Sequence, residues 1–476
     1  MSDIHDPIPH SFPSDFVWGS ATASYQIEGY TKENGAGPSI WDTFAATPGK
    51  VRNFDNGDIA CDHYHRYEED LDLLAQLGVK EYRFSISWPR IQANGTGAPI
   101  AEGLAFYRRL VEGLRARNIE PAITLYHWDL PQALQDKGGW ASRDTALAFG
   151  DFVGHVVDAL GDLVNRWITI NEPWCVSWLG YGVGVHAPGI QDAGQAVAAN
   201  HHILLAHGIA VQEIRKRQSH AKVGITLNVG LSKPATDNEL DVAATARANA
   251  NYNEMFLGPV FKAEYPQLMR DVYANATPGF SVVQEGDLEI ISAPLDFLGV
   301  NHYSYGHIAD VSRIQEAREA GYNYTPSNRA KDPMYLALGA AQVEVAGRRK
   351  TAMGWEVDST GLRDILQHIA STYTKLPIYI TENGAAYDDY VGPNGQVQDA
   401  QRIQYLREYI GAVAEAMRNG VDVKGYFVWS LLDNYEWAEG YSRRFGIIWV
   451  DFPTGTRLPK DSYRWYQNLI KTGQLQ

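Results

Sequence analysis

Eight times along the chain a run of apolar and β-branched residues stops on polar or aromatic side chains, and a stretch of helical periodicity usually follows. The runs are FVWGSATASYQIEG from Phe16, EYRFSISW from Glu81 to Trp88, IEPAITLYHWDLP, RWITINEP from Arg166 to Pro173, KVGITLNVG, LDFLGVNHY, PIYITENG from Pro377 to Gly384, and GYFVWSLLDNYEW from Gly425. Between them, Tyr64, Tyr67, Leu71, Leu74 and Leu77 recur at helical spacing before Gly78. Further helices are expected over Ala101 to Arg117, Asp144 to Leu163 with Ser142 as N-cap, Ala193 to Arg217, Thr360 to Tyr373, Asp399 to Asn419 and Tyr463 to Ile470. Strands that alternate with helices pair in parallel, and eight such units predict an α/β fold closed as a (β/α)8 TIM barrel. The alternative is an open, doubly wound sheet. No GxGxxG follows the first strand, however, and polar residues leave nearly every strand instead of one switch point.

Length alone would accommodate about three domains, although barrels exceed 200 residues as one unit. With no repeat and no low-complexity linker, one catalytic domain spanning 1–476 is expected, with an N-terminal extension over 1–14. The least regular segment, 304–358, reads as a long active-site loop region with short helical pieces. A net charge of −15 repels phosphate backbones and anionic membranes, so neither nucleic acid nor membrane is an expected partner. No window reaches the roughly 20 apolar residues of a membrane span, and the N-terminus lacks a basic stretch before an apolar run. Cys61 and Cys175 form no CxxC pair, which fits a reducing compartment, and a cytoplasmic location is expected.

A barrel gathers its strand exits into one ring. Here that ring holds Gln26, Arg83, His127, Asn171, Glu172, Asn228, Asn301, Tyr303, Glu382, Trp429 and Glu436. Glu382 leaves the seventh strand at an Asn-Gly pair that reads as a turn, and Glu172 leaves the fourth, across the mouth. Paired carboxyl groups amid hydrogen-bonding side chains and indoles suit glycosidic bond cleavage. One group protonates the leaving oxygen and the other attacks or stabilises C1 of an oxocarbenium-like transition state. The acid needs a raised pKa, whereas its partner must stay ionised, a state that Arg83 and Tyr303 could support at Glu382. Spacing in sequence leaves retaining and inverting chemistry equally open.

With these motifs in order, together with RFSISWPRI, GYGVGVHAPG and WSLLDNYEWAEGYSRRFG, the chain from Phe16 to Leu469 resembles glycoside hydrolase family 1, in particular its β-glucosidases. The resemblance implies a cofactor-free, retaining hydrolysis of terminal β-D-glucosyl residues from short β-glucosides such as cellobiose and aryl or alkyl glucosides. In that reading Glu172 is the acid/base, Glu382 the nucleophile, and Arg83 and Tyr303 the nucleophile's partners. Gln26, His127, Trp128, Asn171, Asn301, Glu436, Trp437 and Phe445 fall in the substrate-binding set, with Trp429 as a platform under the sugar. Trp174 and Trp355 are expected on the aglycone side, Asn228 reads equally well as an aglycone contact or a structural strand-end residue, and a cis peptide is expected after Trp429.

Two other readings compete with this one. A 6-phospho-β-glycosidase is disfavoured because Glu436 stands where that substrate's phosphate would sit and would repel it. A non-catalytic sugar-binding or sensing protein is disfavoured by the presence of both carboxylates. Plant thioglucosidases resemble this pattern with Gln at the acid/base position, which here is Glu172. His63, His65, His201, His202 and His207 match no metal-ligand spacing and read as helix-packing residues. Arg443 and Arg444 read as loop anchors compensated by Glu436 and Glu439. Cys175 reads equally well as a pocket-lining residue or an inert buried thiol, and homo-oligomerisation stays open.

Overall fold

The computed structural model describes residues 10–324 and 337–475. Residues 1–9 of the expected extension, and 325–336 within the expected loop region, lie outside the described residues. Eight parallel strands close into a barrel: β1 (Val17–Ala21), β2 (Glu81–Ser85), β3 (Glu120–Tyr126), β4 (Arg166–Asn171), β5 (Lys222–Asn228), β6 (Phe297–Asn301), β7 (Ile378–Asn383) and β8 (Val423–Trp429). Each pairs with its sequence neighbours, and β8 closes on β1 with Gly425 to Trp429 opposite Val17 to Ala21. Nearly every strand residue is buried, as expected where side chains fill the lumen on one face and meet helices on the other.

The outer layer contains α1 (His63–Leu77), α2 (Ala101–Ala116), α3 (Arg143–Leu160), α4 (Ala193–Arg217), α5 (Glu239–Asn249), α6 (Met255–Lys262), α7 (Thr360–Thr372), α8 (Ala400–Arg418) and α9 (Asp461–Thr472). Their ends follow from local chemistry. Gly78 ends α1 at φ +84°, a left-handed position that favours glycine, and its N–H reaches the carbonyls of Leu74 and Ala75. At the start of α3, Ser142 Oγ accepts from the Asp144 N–H at 3.3 Å, the cap expected from sequence.

The segment after β6 departs from expectation. Besides the short helix Ile314–Glu319, it contributes His307–Asp310, Tyr322–Asn323 and Ala340–Val345 to a four-stranded sheet completed by Lys233–Pro234 from the loop after β5. Two of these strands are two residues long, too short to show a period, and AAQVEV offers little β propensity. Sequence periodicity therefore missed them.

Nor does Asn383-Gly384 make the turn expected of it. Asn383 is the last strand residue, and a Cβ on Gly384 would lie 1.7 Å from the Trp429 carbonyl oxygen. Close approach of two backbones, not a reversal, requires glycine here. Gly384→Ala is expected to cost about 1–3 kcal/mol through overpacking and to lower activity by shifting Glu382 two residues away. A denaturant midpoint and turnover equal to the parent's would contradict this.

Candidate active site

Glu382 sits where β7 breaks register, between Ile380 and Glu382 against β6 and between Ile380 and Asn383 against β8. Strict alternation would send Thr381 and Glu382 to opposite faces. The irregularity lets both reach the mouth: Thr381 Oγ1 donates to Asn301 Oδ1 at 2.8 Å, while Glu382 accepts from Arg83 Nη1 at 2.5 Å and from Tyr303 Oη at 2.6 Å. Both carboxylate oxygens are thus occupied by donors. The Arg83 guanidinium, buried at the end of its reach from β2, also donates to the Thr381 carbonyl at 3.1 Å, to Thr124 Oγ1 at 3.1 Å and to Asn171 Oδ1 at 2.6 Å.

Glu172 follows β4, which shifts register against β5 between Ile168 and Asn171. Its backbone is left-handed, φ +46°, a conformation that costs a non-glycine residue about 1–3 kcal/mol and is pinned here by its N–H on the Thr226 carbonyl at 3.0 Å. Its side chain accepts from Asn301 Nδ2 at 2.8 Å on Oε1 and from Cys175 Sγ at 3.3 Å on Oε2. Burial, and then the charge of Glu382, push the Glu172 carboxyl up to about 8.

Hydrogen-bonding groups and rings surround this pair. Because Arg83 can only donate, Asn171 Oδ1 is its acceptor, and Asn171 Nδ2 is left to donate to His127 Nε2 at 3.1 Å. Burial and the nearby Arg83 hold the His127 imidazole well below its usual pKa, so it is neutral, with its proton on Nδ1. That buried Nδ1, like Gln26 Oε1, has no protein partner among the described residues. Polar atoms so placed fit a ligand that brings its own hydroxyls. Gln26 stands on a helical turn, Ser24–Ile27, and not at the strand exit, and its amide donates to the Tyr435 carbonyl at 2.9 Å and to Glu436 Oε2 at 3.4 Å. Burial and Glu382 push Glu436 up to about 8.

The Trp429 and Trp437 rings lie nearly parallel to His127, each 5.9 Å away, and Trp128 lies 4.5 Å from Trp437 with its indole N–H on the Asn171 carbonyl. Tyr303, Trp355 and Phe445 form an aromatic group beside them, with centroids 5.5–6.1 Å apart. The Trp429–Ser430 peptide is cis, as the resemblance implies. Asn228 lies behind Glu172, donating to Tyr252 Oη at 3.2 Å and Cys175 Sγ at 3.6 Å. Trp174 is buried against Tyr252, its indole N–H on Asn251.

Other sequence candidates lie elsewhere. His63 bonds Asp70, His201 bonds Asp287 and Tyr265, His202 the Trp140 carbonyl and His207 Thr169, all of them buried, while the more exposed His65 bonds Asp62. Arg443 faces Glu439, but Arg444 pairs with Asp433 at 2.7 Å and not with Glu436. No described helix is long and apolar enough to cross a membrane.

The sequence model described as Glycosyl hydrolase family 1 matches residues 8–475. The chain belongs to glycosyl hydrolase family 1. It is 46% identical over 468 residues to the 1,4-beta-D-glucan glucohydrolase of Thermotoga neapolitana, covering 98% of this chain and 99% of that one. It is also 46% identical to the beta-glucosidase of an Agrobacterium strain, covering 96% and 95%. The solved beta-glucosidase from Thermotoga maritima in complex with deoxynojirimycin superposes with a TM-score of 0.89 at 44% identity, covering 98% of this chain and 100% of that one.

Several residues that organise this family 1 hydrolase escaped sequence reasoning. Thr124 and Thr381 fix Arg83 and Asn301, and Tyr252 backs Asn228. Thr124 was not findable by alternation, because it stands an odd number of residues before His127, which in a regular strand places the two on opposite faces. Tyr252 comes from a π-helical turn, Ala250–Glu254, that joins α5 to α6 and carries no motif.

Proposed function

We propose that this glycosyl hydrolase is a retaining β-glucosidase that releases terminal non-reducing β-D-glucosyl residues from short β-glucosides, including cellobiose and aryl or alkyl glucosides. The observation that carries the reading is the asymmetry of two buried carboxyls. Glu382 accepts from Arg83 and Tyr303, as suits an anionic nucleophile, while Glu172 is raised to about 8 and is neutral near pH 6, as suits an acid. Glu382 Oε attacks C1 as the C1–O bond breaks, and Glu172 gives its proton to the departing oxygen. Glu172, now a carboxylate, takes a proton from water as that water attacks C1, releasing Glu382 and restoring the acid.

Gln26, His127, Asn171 and Glu436 are the proposed partners of the sugar hydroxyls, with Trp429 beneath the ring. The names carried by the relatives agree with glucoside as the substrate. Glu436, half-buried and set among the carboxyl groups of Glu382, Glu439 and Glu172, leaves a 6-phosphate in acidic surroundings that disfavour it.

The test is a panel of aryl β-glucoside, β-galactoside, β-fucoside, β-glucoside-6-phosphate and cellobiose, with the product anomer followed by NMR and the aryl glucoside run against pH. Hydrolysis of the unphosphorylated glucosides with β-glucose formed first is expected. The kcat/KM profile should be bell-shaped, its alkaline limb near pH 8, because the acid is lost as pH rises through the Glu172 pKa. α-Glucose as first product, preference for the 6-phosphate, or sugar binding without turnover would each overturn the reading.

A further inference from the structure

We propose that the Cys175 thiol is a positioning residue for the acid/base, donating to Glu172 Oε2 and, together with Asn301 on Oε1, deciding which oxygen carries the catalytic proton. This rests on the reading of Glu172 as acid/base given above.

The orientation follows from donors that cannot accept. Asn301 Oδ1 takes the Thr381 hydroxyl at 2.8 Å, so its amide nitrogen faces Glu172 Oε1 at 2.8 Å. The amide N–H on Oε1 is the stronger and shorter donor and favours the carbonyl-type oxygen there, so neutral Glu172 carries its proton on Oε2, the oxygen that receives only the weak Cys175 thiol donor at 3.3 Å. Asn228 fixes the sulfur in turn, giving one amide hydrogen to Tyr252 Oη at 3.2 Å and the other to Sγ at 3.6 Å. With its lone pair engaged, the sulfur turns its own hydrogen to Oε2. Local backbone makes the meeting possible: the Cys175 N–H bonds the Glu172 carbonyl at 3.0 Å, closing a turn that brings the two side chains together.

Burial and the Glu172 charge push the thiol up, so it stays a donor through the working pH range. The other charged or titratable groups around Glu172 are Glu382 after the β7 irregularity, Arg83 from β2, Tyr303 after β6, Glu436 after β8 and Tyr252 behind it. Against the two carboxylates, the thiol favours the charged form of Glu172. It steadies Oε2 in the half-reaction in which Glu172 must take a proton from water.

Cys175→Val removes the donor and leaves no cavity, at the cost of one additional methyl group. Loss of a donor to the charged form raises the Glu172 pKa, so the alkaline limb of kcat/KM on an aryl β-glucoside should move up by about half a pH unit. Cys175→Ser, which retains a hydrogen to donate, should return the limb toward the parent's. A limb that stays in place in the folded valine variant overturns the proposal.

Infrared spectroscopy of the parent supplies a readout independent of the variants. The chain has two cysteines, and the Cys61 thiol, on the Asp433 carbonyl at 3.1 Å, provides a fixed S–H reference band. The Cys175 S–H band should shift to lower frequency as Glu172 ionises, and a band unmoved from pH 5 to 9 also overturns the proposal. A parent that hydrolyses no β-glucoside defeats the proposed function and the catalytic role with it. The infrared titration would still report whether the hydrogen bond exists, so the two failures are read separately.

Discussion

Replacing Glu382 with glycine is expected to lower turnover of an aryl β-glucoside by about 10^5-fold, the scale seen when a covalent nucleophile is removed. Among the described residues no other carboxylate is held where it can attack, since Glu172 is engaged by Asn301 and Cys175 and Glu436 by Gln26. The barrel should nevertheless fold. Taking one partner from a buried ion pair commonly costs about 3–5 kcal/mol. Here Arg83 keeps the Thr381 carbonyl, Thr124 and Asn171 as acceptors, which places the expected loss at the low end of that range. Circular dichroism and a denaturant titration beside the activity assay distinguish a dead site from an unfolded protein. Normal turnover by the folded variant would remove Glu382 as nucleophile.

Glu172→Ala should behave differently, because its loss depends on the substrate. Aglycones that are poor leaving groups need the proton, and kcat/KM for them should fall by about 10^3–10^4-fold. Good leaving groups depart unaided, so glycosylation is largely spared and the slowed second step accumulates glycosyl-enzyme, visible as a burst of released aglycone. Azide, a nucleophile that needs no base, should accelerate turnover and yield the β-glucosyl azide. Equal losses across leaving groups, with no response to azide, would refute the acid/base assignment.

The barrel was legible because its strands are apolar runs and its longer helices carry a period long enough to count, and because a closed parallel barrel collects the carboxyl ends of its strands in one place. Arg83 stands in the middle of β2 and reaches the mouth on its long side chain, whereas that logic located Glu172, Glu382 and Tyr303 from residue order. It failed where position depends on a departure from regularity. Thr381 faces the mouth beside Glu382 only because β7 breaks register there. Gln26 arrives on a helical turn after β1, and Asn228, which ends its strand as Asn301 does, is drawn behind Glu172 by Tyr252. The sheet built from His307–Asp310 and Ala340–Val345 is held by pairing between segments far apart in the chain, which no local pattern records.

Arg83 and Asn301 do more than dress two carboxylates. From β2 and β6 they reach partners on β3, β4 and β7, so hydrogen bonds run across the rim as spokes do across a hoop. A barrel so braced resists becoming oval at its mouth, and its cross-section there is set by the same groups that cut the bond. Discrimination among aglycones is thereby left to the loops above the rim, which can vary in length and composition while the spokes hold the reacting atoms in place.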